Sequence, residues 1–452
     1  MYEYLLRALA LTLCCVLFLP ALPVFAEGSV FTQEMIERSY LAAGNTERLQ
    51  RAIDKARNGE DVSIVYLGGS ITEGALAQPQ QTKCYAYLSA QIFAEKFMAD
   101  KSHLKYHNAG ISGTPSLLGV TRCEKDVLAY NPDIVFVEFA VNDGGDNNSR
   151  MAYESLICKL LESESQPAVI LIFTVGETGW SAQDHMQKIG KHYNLGMISI
   201  KDAVWTQIQQ GKMTWRDFSP DYVHPNTAGH AFMAECIGYY LDQAAAVAPA
   251  PYTMPKFAFF GRTLATLQNL QKDDPAITSM GMFDYGTVNC YSYKQGWRHM
   301  SNRNDQGPLT LSLDATMMTI VYKQETNTIC GKAEIWVDGK LKTTLNSQSD
   351  SAWGNPVTEL IVLGKGTHTV EIRMAEDSLT KTFNLLDGGY SKESGDMKKS
   401  GRLATFLLPH GLSCPFLFRY RASSNPPMSM IRPRKMINPQ KISMGLVMVV
   451  IL

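Results

Sequence analysis

The chain has 452 residues, which is enough for two domains and more than one small hydrophobic core requires. Hydrophobic residues make up 45% of it and charged residues 19%, which is the balance of an ordinary globular protein. The formal net charge of −1 argues against a polyanionic partner such as nucleic acid, and against a substrate that is attracted by bulk charge.

Residues 1–26 have the pattern of a signal peptide. Arg7 precedes a nearly continuous apolar run over residues 8–25, and Val24 and Ala26 are small residues where a cleavage site requires them. An uncleaved membrane anchor is the alternative, but two prolines near the end of the run favour cleavage. The sequence therefore predicts a secreted or cell-envelope protein.

Residues 27–247 alternate between short apolar runs and longer helical patterns. The predicted strands lie at residues 63–67, 105–108, 134–139, 168–174 and 197–200. The predicted helices lie at residues 31–58, 84–98, 151–161, 181–193 and 227–241. This alternation predicts an α/β domain with a parallel sheet covered on both faces. Its chemistry is expected in the loops at the carboxyl ends of the strands.

The composition changes after this domain. Residues 248–256 are rich in alanine and proline and predict a linker. Residues 257–394 contain short β-type runs, and Asp338-Gly339 between two of them is a strong hairpin signal. This region is predicted to be a smaller all-β sandwich domain.

The C-terminal segment, residues 395–452, differs again in character. It is basic, since no acidic residue follows Asp396, and it shows no periodicity. We interpret it as a disordered or non-native tail. A segment that contacts a membrane surface is the alternative, because its last apolar run is too short to span a bilayer.

Nine cysteines occur in the chain, and two of them lie in the signal peptide. The others are scattered and form no CxxC pair, so the sequence predicts no metal site and no cofactor. Export permits disulfides, and Cys290 with Cys330 is one possible pair, but buried thiols are the interpretation we favour. His103 and His107 lack the glutamate of an HExxH motif and are interpreted as a solvent-facing pair.

A Gly-Gly-Ser segment follows the first apolar strand. Gly68 and Gly69 allow the backbone to turn sharply just before Ser70. A serine hydroxyl is a weak nucleophile that needs a neighbouring base, so this segment alone is weak evidence. Glycine-rich turns also hold phosphates, but neither a GxGxxG nor a GxxxxGKS/T motif is present, which argues against a nucleotide site.

Two further segments supply the groups that an active serine requires. Gly110 and Asn142 each follow a predicted strand and offer an N–H group to a developing oxyanion, although Asn142 has the alternative of a turn residue. His224 is the candidate base, and Asp221, three residues before it, can orient its imidazole.

Together these segments resemble the SGNH hydrolase superfamily, also called GDSL-type esterases. The matching positions are Ser70 in GGSIT, Gly110 in NAGISGT, Asn142 in AVND, and Asp221 and His224 in DYVHPN. The resemblance covers about residues 45–245 and implies a three-layer αβα fold related to flavodoxin. It also implies a Ser70–His224–Asp221 mechanism, with an oxyanion hole made by the N–H groups of Ser70 and Gly110 and the side chain of Asn142.

The sequence departs from the usual family pattern at two positions. Gly69 replaces the usual aspartate before the serine, and Ala140 replaces the glycine of the GxND motif. The GGSIT variant beside a β-sandwich is similar to carbohydrate esterases that remove acetyl groups from glycans. The predicted substrate is therefore an acylated carbohydrate, with possible glycan binding by the β domain. A lipase, a thioesterase or an acyltransferase on the same fold remains an alternative, as does an inert glycan-binding protein.

The remaining candidates have weaker interpretations. Glu73 and Asp143 flank predicted site residues and are expected to order the loops, and His230 is expected to be structural. Tryptophans are interpreted mainly as core residues, although Trp215 lies close to the Asp221 loop. In the β domain Trp297, Trp336 and Trp353 are either core residues or platforms for sugar rings.

Overall fold

The structure is a computed structural model that describes residues 30–392. The predicted signal peptide at residues 1–26 and the predicted basic tail at residues 395–452 lie outside the described residues. Among the described residues, no helix combines the length and the hydropathy that crossing a membrane would need.

A six-stranded sheet forms the centre of the N-terminal domain, in the order β1-β6-β5-β4-β2-β3. Its strands are β1 (Tyr40–Ala42), β2 (Val62–Gly68), β3 (Leu104–Gly110), β4 (Ile134–Glu138), β5 (Ala168–Phe173) and β6 (Gly196–Ser199). All neighbours run parallel except β1, which is antiparallel to β6. Every residue of β4 and β5 is buried, as expected for strands that are covered on both faces.

Helices cover both faces of this sheet. They are α1 (Gln33–Ser39), α2 (Glu47–Arg57), α3 (Ser70–Glu73), α4 (Gln80–Lys83), α5 (Tyr85–Phe97), α6 (Ser116–Asp126), α7 (Asn147–Leu161), α8 (Gln183–His192), α9 (Ile200–Gln209), α10 (Trp215–Phe218) and α11 (Thr227–Ala245). Along β2 the side chains alternate, so that Ile64 and Tyr66 belong to one hydrophobic core and Val65 and Leu67 to the other. The predicted three-layer αβα architecture is confirmed.

The C-terminal domain consists of two antiparallel sheets. One sheet has the order β15-β12-β17-β10-β9, with β7 beside β17, and the other has the order β14-β13-β16-β11-β8. The strands are β7 (Gln268–Asn269), β8 (Ile277–Ser279), β9 (Phe283–Cys290), β10 (Tyr293–His299), β11 (Leu309–Asp314), β12 (Met317–Gln324), β13 (Lys332–Val337), β14 (Lys340–Asn346), β15 (Asn355–Val362), β16 (Thr367–Met374) and β17 (Asn384–Ser391). Both sheets contribute to one hydrophobic core, which confirms the predicted all-β second domain.

Helix α6 lies between the two domains. Leu118 of this helix packs into a cluster of β-domain residues that includes Tyr293 and Leu386. Two charged residues near its end add polar contacts: Lys125 Nζ lies 3.7 Å from the centre of the Tyr293 ring, and Asp126 accepts a hydrogen bond from Ser292 Oγ at 3.0 Å. The β domain is therefore docked on the N-terminal domain through α6.

The segment between the domains is anchored along its length. The carboxylate of Glu154, which is fully buried, accepts hydrogen bonds from the backbone N–H groups of Phe259, Phe260 and Gly261 at 2.5, 2.6 and 2.8 Å. Within the predicted linker, the Tyr252 N–H donates to Glu47 Oε2 at 2.7 Å. These contacts fix a stretch that its composition alone marks as flexible.

Some predicted elements differ from the observed ones. The helix predicted over residues 31–58 is interrupted by β1, because Tyr40–Ala42 pairs with β6 and forms the edge of the sheet. Helix α6 is absent from the prediction, because polar residues such as Arg122 and Asp126 are buried in it along with the apolar ones, so its sequence shows no clear apolar stripe. The six cysteines of the described part are buried free thiols, Cys290 and Cys330 among them, so the pair proposed as a possible disulfide is not joined here.

Candidate active site

Ser70 is the first residue of α3, at the carboxyl end of β2. The backbone turns at Gly69, and only 7% of Ser70 is exposed. Because the first N–H groups of a helix have no partner within the helix, the Ser70 N–H is not engaged by α3 itself.

Ser70, His224 and Asp221 form a continuous hydrogen-bonded chain. His224 Nε2 lies 2.8 Å from Ser70 Oγ, and His224 Nδ1 lies 2.7 Å from Asp221 Oδ2. A carboxylate only accepts hydrogen bonds, so Nδ1 carries the proton and Nε2 is left to accept from the serine hydroxyl. This tautomer is the one that a general base beside a serine requires.

The aspartate is held in its ionised form by its own turn. Asp221 Oδ1 accepts hydrogen bonds from the N–H groups of Val223 at 2.8 Å and of His224 at 2.7 Å. Burial alone would raise the pKa of Asp221, but these N–H groups and the imidazole of His224 hold that pKa below its usual range. The charge that orients the imidazole is therefore present at neutral pH.

The backbone carbonyl of Asp221 is fixed by three donors that sequence reasoning did not assign. Trp215 Nε1 donates to it at 2.5 Å, Arg216 Nη1 at 2.7 Å and Ser219 Oγ at 3.0 Å. Trp215 is buried, so it packs under the loop rather than lining an open pocket. All of these donors lie within six residues of Asp221, so the whole support of the acid is local in sequence.

Asn142 lies in the loop after β4, with its side chain against the nucleophile turn. A Cβ atom at Gly69 would lie 2.3 Å from Asn142 Oδ1, so a side chain at position 69 would displace the amide of Asn142. Within the described residues, Oδ1 is buried without a hydrogen-bond partner. The absence of a side chain at Gly69 thus has a structural reason: it lets the amide of Asn142 approach Ser70.

The N–H of Gly110, which was predicted to donate to the oxyanion, is engaged within its own segment. The Gly110 N–H donates to Asn108 Oδ1 at 2.9 Å. A Cβ atom at this position would lie 2.1 Å from the Glu73 nitrogen, so the glycine permits β3 to pack against α3. Between residues 30 and 392 no acceptor is found for the N–H of Gly113, three residues further along the same loop.

Trp353 of the β domain lies against the Gly113 loop. A Cβ atom at Gly113, where φ is +70°, would lie 2.6 Å from Trp353 Cη2. The indole Nε1 donates to Tyr291 Oη at 3.1 Å, and 47% of Trp353 remains exposed, which leaves much of its surface accessible to a ligand. Trp297, in contrast, is a buried core residue.

Buried polar groups support the loops from behind. Arg122 of α6 donates to the carbonyl oxygens of Ala109 at 2.7 Å and Gly68 at 3.1 Å, and so links the ends of β3 and β2. Asp143 accepts from the N–H and the hydroxyl of Ser116 at 2.7 and 2.6 Å, which joins the Asn142 loop to α6. Burial raises the pKa of Asp143 to about 7, against the opposing effect of the two Ser116 donors.

The other sequence candidates have local roles. Glu73 accepts from the N–H of Ser112 at 2.8 Å and from its hydroxyl. His230 is buried between the Tyr85 N–H and the Ala75 carbonyl oxygen, and burial lowers its pKa to about 4. His103 pairs with Asp61 at 2.8 Å, whereas His107 stacks on Tyr130. No group of acidic, histidine and cysteine side chains suited to a metal ion occurs in the described part of the chain.

Comparisons with known proteins agree with this architecture. Residues 66–232, which include Ser70 and His224, match the GDSL-like Lipase/Acylhydrolase family. A search of curated proteins found no match.

Two solved structures match both domains. They are crystal structures of a two-domain esterase (CEX) active on acetylated mannans, alone and co-crystallized with mannopentaose. In each comparison the identity is 30% and the TM-score 0.69 over 79% of this chain, with 98% of the mannopentaose structure and 99% of the other covered. An acetyl xylan esterase, AlAXEase, is 22% identical over 41% of this chain and all of its own, with a TM-score of 0.34.

The fold and the relatives together define an esterase of the SGNH hydrolase type. The chain belongs to the GDSL-like lipase/acylhydrolase family, in a form that carries a second, all-β domain.

Proposed function

We propose that this protein hydrolyses acetyl esters on a carbohydrate, with Ser70 as nucleophile, His224 as general base and Asp221 as the group that orients His224. The observation that carries the proposal is the 2.8 Å contact between Ser70 Oγ and His224 Nε2 at the carboxyl edge of the sheet. The match over both domains to an esterase active on acetylated mannans supports the acetylated glycan as substrate.

In the first half of the reaction, Ser70 Oγ attacks the carbonyl carbon while its proton passes to His224 Nε2. The carbonyl π electrons move to the oxygen and form a tetrahedral oxyanion. When this intermediate collapses, the bond to the sugar oxygen breaks, and that oxygen takes the proton from His224. The free sugar hydroxyl leaves, and an acetyl group remains on Ser70.

In the second half, His224 takes a proton from a water molecule that attacks the acetyl carbonyl carbon. The second tetrahedral intermediate collapses, acetate leaves, and Ser70 Oγ recovers its proton from His224. Asp221 stays ionised in both halves, because the N–H groups around it favour its charged form, and it stabilises the imidazolium that forms in each.

The oxyanion in both halves requires hydrogen-bond donors that are not otherwise engaged. We assign this role to the N–H groups of Ser70 and Gly113 and the side-chain amide of Asn142. Gly113 replaces Gly110 in the assignment, because the Gly110 N–H is engaged by Asn108. Preorganised donors of this kind contribute about 3 kcal/mol each to transition-state stabilisation.

The β domain completes the substrate site in this proposal. The exposed face of Trp353 beside Gly113 provides an apolar platform on which a sugar ring can stack, and Tyr291 holds the indole through its hydroxyl. An acetylated mannan would thus contact both domains. The apolar segment at residues 8–25 supports export, so we place the substrate outside the cytoplasm.

The decisive experiment compares Ser70→Ala with the wild-type protein on p-nitrophenyl acetate and on acetylated mannan, xylan and peptidoglycan fragments. We expect Ser70→Ala to abolish ester cleavage and to prevent labelling by a fluorophosphonate probe. Full activity of Ser70→Ala would refute the mechanism. A preference of the wild-type protein for long acyl chains would favour a lipase or thioesterase, whereas an unreactive wild-type Ser70 would favour an inert glycan-binding protein.

A further inference from the structure

Glu138 is a charged residue at the end of an otherwise apolar strand. It is the last residue of β4, and none of its surface is exposed. Burying a carboxyl group away from water is unfavourable unless several donors compensate for the lost hydration. Such a residue in a strand whose other members are apolar therefore requires a specific explanation.

Donors from several chain segments converge on this carboxyl group. Thr174 Oγ1, just after β5, donates to Oε1 at 2.6 Å, and Thr72 Oγ1 of α3 donates to Oε2 at 3.1 Å. The backbone N–H groups of Gly69 and Ala140 interact with the same carboxyl group and favour its charged form. Burial nevertheless dominates and raises the pKa of Glu138 to about 7.

These donors belong to the loops that position the reacting groups. Gly69 directly precedes Ser70, and Thr72 lies on the short helix that Ser70 begins. Ala140 lies two residues before Asn142, in the loop that places the side-chain amide. One carboxyl group therefore joins the nucleophile turn to the asparagine loop from beneath, at the ends of three parallel strands.

Glu138 acts through these neighbours and not on the substrate. It is fully buried, and its contacts are with two threonine hydroxyls and backbone amides, none of which belongs to Ser70 or His224. A hydrophobic side chain of similar size would fill the same space without the cost of a buried charge. What it would lose is the fixed separation between the two loops.

We propose that Glu138 is a positioning residue that holds the Ser70 hydroxyl and the Asn142 amide at the separation the reaction requires. This inference rests on the proposed function, because it assumes that Ser70 and Asn142 act on the same ester group. A small displacement of a reacting group is enough to slow an enzyme by about 100-fold, so the expected effect is on turnover rather than on substrate binding.

The test is Glu138→Gln, with Glu154→Gln as a matched control. Glu154 is equally buried and also accepts backbone N–H groups, but it holds the interdomain segment and does not contact the site loops. In Glu138→Gln an amide NH2 group faces donors that need an acceptor, so we expect kcat on p-nitrophenyl acetate to fall about 10- to 100-fold, with KM within twofold. Glu154→Gln should lose thermal stability to a similar extent and keep its kcat.

Three outcomes separate the possibilities. An unchanged kcat in folded Glu138→Gln would overturn the positioning role, as would an equal loss of kcat in Glu154→Gln. If Glu138→Gln does not fold, Thr174→Val removes one donor from the far side of the carboxyl group, and an unchanged kcat in that variant would also overturn the inference. Failure of the proposed function is distinct, since wild-type Ser70 would then resist the fluorophosphonate probe.

Discussion

In the proposed mechanism the Ser70 hydroxyl has a base side, formed by the His224 turn, and an oxyanion side, formed by the Gly113 and Asn142 loops, and the two are built in different ways. On the base side, His224 and Asp221 lie on one short turn, and the donors that fix this turn come from residues a few positions away. On the oxyanion side, the loops after three strands must meet, and Arg122 and Glu138 join them from behind. One turn is thus enough to arrange His224 and Asp221, whereas the groups on the oxyanion side are arranged by several strands of the fold.

The oxyanion side also depends on the second domain. Helix α6 supplies Arg122 to the strand ends and Leu118 to the β domain, so the same helix contacts both. Trp353 reaches the Gly113 loop from the opposite direction. The β domain is therefore part of one wall of the site, whereas the His224 turn is supported within the catalytic domain.

The largest effect is expected from removing the side-chain donor of the oxyanion side. Asn142→Ala should lower kcat by about two to three orders of magnitude, because one oxyanion donor contributes about 3 kcal/mol. The Ser70–His224 contact should survive, so thermal stability should stay close to that of the wild type. Steady-state kinetics on p-nitrophenyl acetate measure the effect, and Asn148→Ala, an exposed asparagine in α7, is the control. Near-normal turnover in Asn142→Ala would show that the Asn142 side chain does not stabilise the oxyanion.

A smaller effect is expected from the β-domain contribution. Trp353→Ala should raise KM for acetylated mannan about 5-fold, since a stacked ring contributes about 1 kcal/mol, and should affect p-nitrophenyl acetate hydrolysis less. Trp336→Ala is the matched control, because Trp336 lies on β13, in the other sheet of the domain. Equal losses with both variants, or an equal loss on the two substrates, would contradict a role for Trp353 in binding the polymer.

A separate prediction concerns the stability of the folded protein rather than its turnover, and it rests on the buried His230 of α11. The folded protein keeps His230 neutral, with a pKa of about 4, whereas an unfolded histidine has a pKa of about 6.5. Between about pH 6.5 and pH 4, His230 therefore binds a proton in the unfolded state but not in the folded state. The contribution of His230 to the free energy of unfolding is therefore highest above about pH 6.5, and it decreases by roughly 3 kcal/mol at most as the pH falls towards 4.

The buried carboxyl groups act in the opposite direction over a similar range. Glu138 and Asp143 have pKa values raised to about 7, so their contribution to stability falls as pH rises towards 7. The measurement must therefore be a difference: urea unfolding of wild type and His230→Asn at several pH values. We expect the wild-type advantage to shrink between pH 6.5 and pH 4. A difference that is constant with pH would show that His230 titrates normally.

The base side is the part of the site that the sequence predicts well. The DxxH spacing places Asp221 and His224 on one turn whatever the rest of the fold does, and the strand before Ser70 is evident from its apolar run. The alternation of strands and helices likewise predicts the αβα sandwich, since most of its longer helices and central strands show their own period.

The oxyanion side could be predicted only in part. The segment NAGISGT contains two glycines, and only the backbone geometry reveals that Gly110 is engaged while Gly113 is not. Glu138 could be singled out from the sequence, because a glutamate within an apolar strand must have buried partners. Those partners could not be identified, because they lie far apart in the sequence. Trp353 was a candidate platform for sugar rings, but its position against the Gly113 loop could not be predicted, since the docking of one domain on another leaves no local pattern.

The contacts of Glu154 with the interdomain segment have a consequence for the binding of long polymers. A module on a flexible tether meets a second site at an effective concentration in the millimolar range, with its orientation left to chance. Here the three N–H groups that donate to Glu154 fix the interdomain segment in place. The conformational entropy that a flexible tether would lose on each binding event is therefore lost once, during folding. Replacing this segment by a glycine-serine tether of equal length would remove the Glu154 contacts, and the α6 contacts would then hold together the two domains that the proposed glycan spans.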